Sequence, residues 1–173
     1  MRGPLDTTGH EKTLVVGLGN PILGDDGVGW RVCQSAEEHW PVLANIQVTF
    51  ECYSCGGLEL MERLVGYDRA ILIDAFQPGQ SESNPEAIPA RVVCCAFDEI
   101  ASSQADRLRS AHDASLATAL RVGKELGAHL PSRIDVVGIE TQAVLEFTEE
   151  LTPAVTAAIP LATNLVFQLI SGR

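Results

Sequence analysis

The chain predicts an α/β fold: a single-domain three-layer sandwich, its mostly parallel or mixed twisted sheet of about five strands covered by helices on both faces. Apolar runs alternate with helical patterns along the length, the order that builds βα units. A length of 173 residues and a hydrophobic share of 46% suit one domain with a full core. The run "AILIDA" at 70–75 is continuously apolar, as a strand buried on both faces must be.

Residues 1–12 read as a loose lead-in and residues 13–173 as the domain. Residues 13–18 form the first strand, and a helix runs from Asp25 to about Trp40. Val28, Val32, Ala36 and Trp40 lie four apart along one face of that helix. Residues 46–52 alternate as a second strand. A short helix at 57–65 presents Leu58, Met61, Leu64 and Val65 together, and the strand at 70–75 follows. The segment 77–89 is a polar, proline-containing loop, and 91–97 is a strand at an edge or antiparallel. Residues 98–111 are charged and irregular, and loops of that length in compact domains are often functional. The next helix spans about 110–126, with Leu116, Ala119, Leu120 and Gly123 inward and Gly127 as its stop. Residues 133–139 make the last strand. Thr152 caps a final helix that has Pro153 in its first position and Pro160 inside, where a kink is expected.

Composition narrows the function. The formal charge of −11 opposes a partner held through phosphates, so nucleic acid is not expected. The first residues contain no apolar signal core. Cys33, Cys52, Cys55, Cys94 and Cys95 read as reduced thiols of a cytoplasmic protein. Residues 153–170 carry no charge, but Thr156, Pro160, Thr163, Asn164 and Gln168 mark an interior amphipathic helix rather than a membrane insertion.

Three places carry possible chemistry. Asp25 and Asp26 open the first helix. One carboxylate suffices to cap it, for about 0.5–2 kcal/mol, and a second beside it is repelled. Gly27 and Gly29 in the same turns each weaken a helix by about 1 kcal/mol, which points to something approaching the backbone closely. Asp74 closes the most apolar strand. A central parallel strand delivers its last residue to the crevice where ligands gather in such sheets. Carboxylates meeting there need a cation or a shared proton. His112 sits at a helix start, where the dipole favours the neutral, metal-binding imidazole. Two carboxylates and one imidazole from separate elements suit nickel or zinc. Cys52 and Cys55 form a lone CxxC with no second pair, so buried thiols are the simpler reading. Gly17-x-Gly19 lacks the third glycine of a dinucleotide loop, Ile22 standing in its place.

Taken in order, "GLGNPILGDDGVG", "GGLELMERLVGYDRAILIDA", "SAHDASL", "VVGIE" and "LTPAVTAAIP" resemble the hydrogenase maturation endopeptidases, from about residue 14 to 169. The resemblance implies metal-contacting residues at the second acid of the D-[DE]-G motif, the aspartate ending the central strand and the histidine of S-x-H. Here these are Asp26, Asp74 and His112. It further implies removal of a C-terminal extension from the large-subunit precursor of a nickel–iron hydrogenase, with nickel in the precursor as the recognition signal. Asp26 and Asp74 are then the catalytic acids, by metal-assisted or aspartic-type hydrolysis, and zinc or another divalent ion could substitute for nickel. Many members have Glu where this chain has Asp26, and a small Thr-like residue where it has Cys55. "VGLGNP" also resembles peptidyl-tRNA hydrolases, but these place a histidine where Asp25-Asp26-Gly27 stand here. A non-enzymatic nucleotide-binding module is a second rival. The spore germination proteases, which share the broad architecture in longer chains, are a third.

Overall fold

Strands β1 (Lys12–Leu18) and β3 (Arg69–Phe76) lie side by side and parallel inside a five-stranded sheet. The computed structural model describes residues 11–41, 46–77, 89–102, 113–142 and 147–172. Within them β2 (Gln47–Tyr53) runs parallel to β1, β5 (Arg133–Glu140) parallel to β3, and β4 (Val92–Ala96) antiparallel to β5 at the edge. The order is β2-β1-β3-β5-β4, a mixed five-stranded sheet as predicted.

Helices cover both faces. Val15, Ile71, Ile73, Val137 and Ile139 point to the side of α1 (Val28–His39) and α5 (Pro153–Ile170). Leu14, Val16, Leu18, Leu72 and Val136 point to α2 (Gly57–Leu64) and α4 (Asp113–Glu125). Successive residues of a strand serve opposite faces, so β3, with helices on both sides, must be apolar at every position from Ala70 to Ile73. The uncharged α5 is long and apolar enough to cross a membrane by length and composition. It packs along α1 through Val155, Ala158, Ala162 and Val166 and continues through Pro160.

The elements differ from expectation in instructive places. Strand β1 begins at Lys12, inside the expected lead-in. The first helix is preceded by a 3-10 turn, Gly24–Gly27, and becomes α-helical only at Val28. Part of the segment 98–111 is helical: α3 spans Phe97–Ser102, because Phe97 and Ile100 bury against the sheet. In α2 the buried face is Leu60, Met61 and Leu64, whereas Leu58 and Val65 are 58% and 44% exposed. Gly29 of the first helix also acquires a cause. A methyl group at Gly29 would stand 2.5 Å from the Ile73 carbonyl oxygen and 2.9 Å from the Leu18 nitrogen. What approaches the backbone there is the sheet itself.

At the amino ends of the strands, Arg69 and Asp135 form a buried ion pair at 2.7 Å, and Arg133 reaches the other Asp135 oxygen at 3.0 Å. Both Arg69 and Asp135 are more than nine-tenths buried.

Candidate active site at the carboxyl ends of β1 and β3

Helix α1 leaves β1 on one face of the sheet, while the chain leaving β3 returns to β5 through α4 on the other. The crevice between β1 and β3 is therefore a topological switch point, where α/β sheets bind ligands. The 3-10 turn carrying Asp25 and Asp26 packs against β3 at this end. Seating Gly29 on the backbones of Leu18 and Ile73 fixes that turn above the strand ends.

The two adjacent aspartates have different partners. Asp26 Oδ2 accepts the backbone N–H of Asn20 at 2.6 Å, which closes the turn after β1. No second hydrogen bond to Asp26 exists among the described residues, and its side chain is half-buried. Asp25 is 2% exposed. Its Oδ1 accepts the backbone N–H of Thr152 at 2.7 Å and its Oδ2 the Thr152 hydroxyl at 2.9 Å. Neither carboxylate caps its own helix. Thr152 stands at the cap position of α5 but makes no side-chain cap, because its hydroxyl serves Asp25.

Asp74, the sixth residue of β3, is 6% exposed, and its Oδ1 accepts the N–H of Ala75 at 2.9 Å. The third candidate, His112, lies outside the described residues. Helix α4 begins at the next residue, Asp113. Ser115 in its first turn is close to Gly57, where an added methyl would meet the serine side chain at 3.2 Å. That contact brings the start of α4 to the start of α2, at the end of the sheet where β2 finishes. Among the described residues, no three His, Cys, Asp or Glu side chains gather as a metal-binding group.

Other residues shape the rim. Ser54, just past β2, donates to the Gly19 carbonyl at 2.8 Å, and Trp30 Nε1 donates to the Tyr53 carbonyl at 3.2 Å. The segment before α5 adds a short parallel ladder: Gly24 N–H donates to the Thr148 carbonyl at 2.6 Å and Thr148 N–H to the Ile22 carbonyl at 3.0 Å. Sequence reasoning misses Asn20 and Ser54, which nothing local distinguishes, and it misses the Asp25 partner of Thr152. Only Thr152, preceding a helix-initiating proline, carries a signal, and it points to an ordinary cap.

The cysteines are thiols. Cys33 Sγ lies 3.3 Å from the Glu51 carbonyl and is hydrogen-bonded to Cys52, which together with burial pushes the Cys33 thiol well up and draws the Cys52 thiol down. Burial raises Cys55 as well. The CxxC members thus differ: Cys52 pairs with Cys33 of α1, not with Cys55.

The hydrogenase maturation protease family model matches residues 55–169. The chain is 26% identical over 155 residues to the hydrogenase 2 maturation protease of Escherichia coli, covering 90% of this chain and 88% of that protein. It is 24% identical over 167 residues to the hydrogenase expression/formation protein HupD of Rhizobium leguminosarum, covering 96% and 78%. Among solved structures, the hydrogenase maturating endopeptidase HybD of E. coli superposes with a TM-score of 0.71 at 23% identity, over 93% of both chains. HybD of Thermococcus kodakarensis gives 0.66 at 22% identity, over 92% of this chain and 99% of that one. With the family model matching two thirds of its length, and the fold shared over 93% of it, the chain belongs to the hydrogenase maturation proteases.

Proposed function

We propose that this protein is the endopeptidase that removes the C-terminal extension from a nickel-loaded large-subunit precursor of a nickel–iron hydrogenase. The observation that supports the reading is the arrangement at the switch point: Asp25 is bound to Thr152, while Asp26 lies in the turn that packs against β3, the strand that carries Asp74 near its carboxyl end. The nickel ion arrives with the precursor and is part of the substrate. Asp26, Asp74 and His112 are its docking groups. A carboxylate with one oxygen anchored to a backbone N–H is pre-oriented, which suits both ion contact and general-base work, the latter worth about 10²–10⁴-fold.

Within this reading the metal polarises the scissile carbonyl or a water, and Asp74 or Asp26 takes the proton from the attacking water. Free thiols suit the reducing cytoplasm as the place of reaction. The decisive experiment follows the mass of the large subunit after incubation with nickel-loaded and nickel-free precursor. Cleavage of the loaded form alone is expected. Equal cleavage of both forms would overturn nickel recognition, and cleavage of neither would overturn the function.

A further inference from the structure

The fold separates the two cysteines of the CxxC. Cys52, in β2, packs with the α1 and α5 side of the sheet, whereas Cys55, two residues past the strand, packs with the α2 and α4 side. Cys94 and Cys95 belong to β4, at the opposite edge. The thiol that shares a face with Cys52 is Cys33 of α1. Gly17 explains how close they come. It stands opposite Cys52 in the parallel register of β1 and β2, so the two positions project to one face with backbones about 4.8 Å apart. A methyl group on Gly17 would lie 2.8 Å from the Cys33 Cβ. Cys33 thus fills the space of the missing side chain, next to Cys52. Contacts from both directions agree. Cys33 Sγ is 3.3 Å from the carbonyl oxygen of Glu51, the residue before Cys52. Cys52 Sγ is 3.9 Å from the carbonyl oxygen of Trp30, one helical turn before Cys33. The two thiols are hydrogen-bonded to each other.

We propose that Cys33 and Cys52 are a redox-modification site, oxidised by a peroxide to a disulfide that ties α1 to β2. The pair is uneven in a way that sets the order of events. The hydrogen bond to Cys52, helped by burial, holds the proton on Cys33, and the same bond draws the Cys52 thiol below its ordinary value. The thiolate is the nucleophile. Cys52 is also the more open of the two, half-buried on an edge strand, while Cys33 is 1% exposed. The Cys52 thiolate attacks one peroxide oxygen and the O–O bond breaks. Cys52 becomes a sulfenic acid, and the other oxygen departs as hydroxide, which takes up the proton Cys52 had released. The Cys33 sulfur then displaces the hydroxyl from Cys52, and its own proton leaves with that hydroxyl as water. The two thiols lose two electrons, and the peroxide gains them and ends as two waters. This chemistry needs neither Asp26 nor Asp74 and is read without the precursor.

The test titrates the reduced full-length protein with hydrogen peroxide, alkylates the remaining thiols and maps the unreduced peptides by mass. A cross-linked pair carrying Cys33 and Cys52, lighter by two hydrogens, is expected, with Cys55, Cys94 and Cys95 recovered alkylated. Cys55→Ser should oxidise as the wild type does. In Cys33→Ser the sulfenic acid on Cys52 has no thiol to close on and should be trapped by dimedone, which the wild type escapes. Should Cys33→Ser melt early, Cys52→Ala, at the more open position, takes its place: it should form no disulfide and leave Cys33 unoxidised. Closing a loop of this length in the unfolded chain should raise the melting temperature of the oxidised wild type by about 5–10 °C. A disulfide between Cys52 and Cys55, or one that forms only between two molecules, overturns the site. So does recovery of Cys33 and Cys52 as thiols after peroxide has oxidised the exposed Cys94. A melting temperature that falls on oxidation overturns the claim that the native fold already holds the two sulfurs ready to join.

Discussion

The Asp25 carboxylate receives both the backbone N–H and the hydroxyl of Thr152, 127 positions away, at 2.7 and 2.9 Å. This clasp ties the turn after β1 to the start of α5. Hydrogen bonds to a charged group are worth about 1.5–3 kcal/mol each. Asp25→Ala should therefore lower stability in urea unfolding by about 2–4 kcal/mol, and Thr152→Val by about 1–3 kcal/mol, since only the hydroxyl is lost. The double variant should cost clearly less than the sum, the mark of direct coupling.

Asp26 and Asp74 predict the opposite pattern. Asp74→Asn and Asp26→Asn should each abolish processing of the large subunit, read by its mass, while the melting temperature stays near that of the wild type. His112→Ala should do the same to activity. An Asp74→Asn protein that still trims the precursor would remove that carboxylate from the chemistry.

Gly29→Ala tests how the site turn is seated. Helix propensity alone would make the change favourable by about 1 kcal/mol. The added methyl would instead press on the carbonyl oxygens of Leu18 and Ile73. We expect a loss of about 1–3 kcal/mol, as for overpacking elsewhere, together with reduced processing, because Asp25 and Asp26 must move with the helix.

The ion pair at the opposite end of the sheet gives a contrasting case. Breaking a buried pair by removing one partner commonly costs about 3–5 kcal/mol, and Arg133 retains part of the charge balance on Asp135. Arg69→Met should reduce stability by about 2–4 kcal/mol on that basis. Processing per folded molecule should be unaffected, since the pair lies at the strand ends remote from Asp74.

Tyr53 offers a pH-dependent readout near the rim. Burial, helped by a hydrogen bond to Glu51 and by its charge, pushes the Tyr53 phenol up to about 12. A folded-state value raised above the unfolded one contributes stability below the unfolded value of about 10. That contribution fades as pH rises from there through 12. Ultraviolet titration of the folded protein should show one phenol ionising late, and Glu51→Gln should bring it earlier.

Much of this architecture is legible in the residues. The continuous apolar run of β3 announces a central strand because both faces of that strand must be dry, and Asp74 follows as a site candidate, although the strand runs two residues past it to Phe76. Asp26 is recognisable from its motif. The distinction between Asp25 and Asp26 is not, since it is made by Thr152, whose local mark is that of an ordinary helix cap and which the fold brings in from 127 positions away. The role of Gly29 is hidden for a similar reason: its constraint is the backbone of two strands, not a ligand. The segment 98–111 reads as irregular because the cue for α3 is the burial of Phe97 and Ile100 against a sheet that sequence periodicity does not reveal.

The ladder between Leu23 and Thr148 has a consequence for biosynthesis. The turn that carries Asp25 and Asp26 is completed by a segment translated much later, so an emerging chain has these acids before it has the scaffold that holds them. The geometry of that turn is thus set only once α5 has been made and docked.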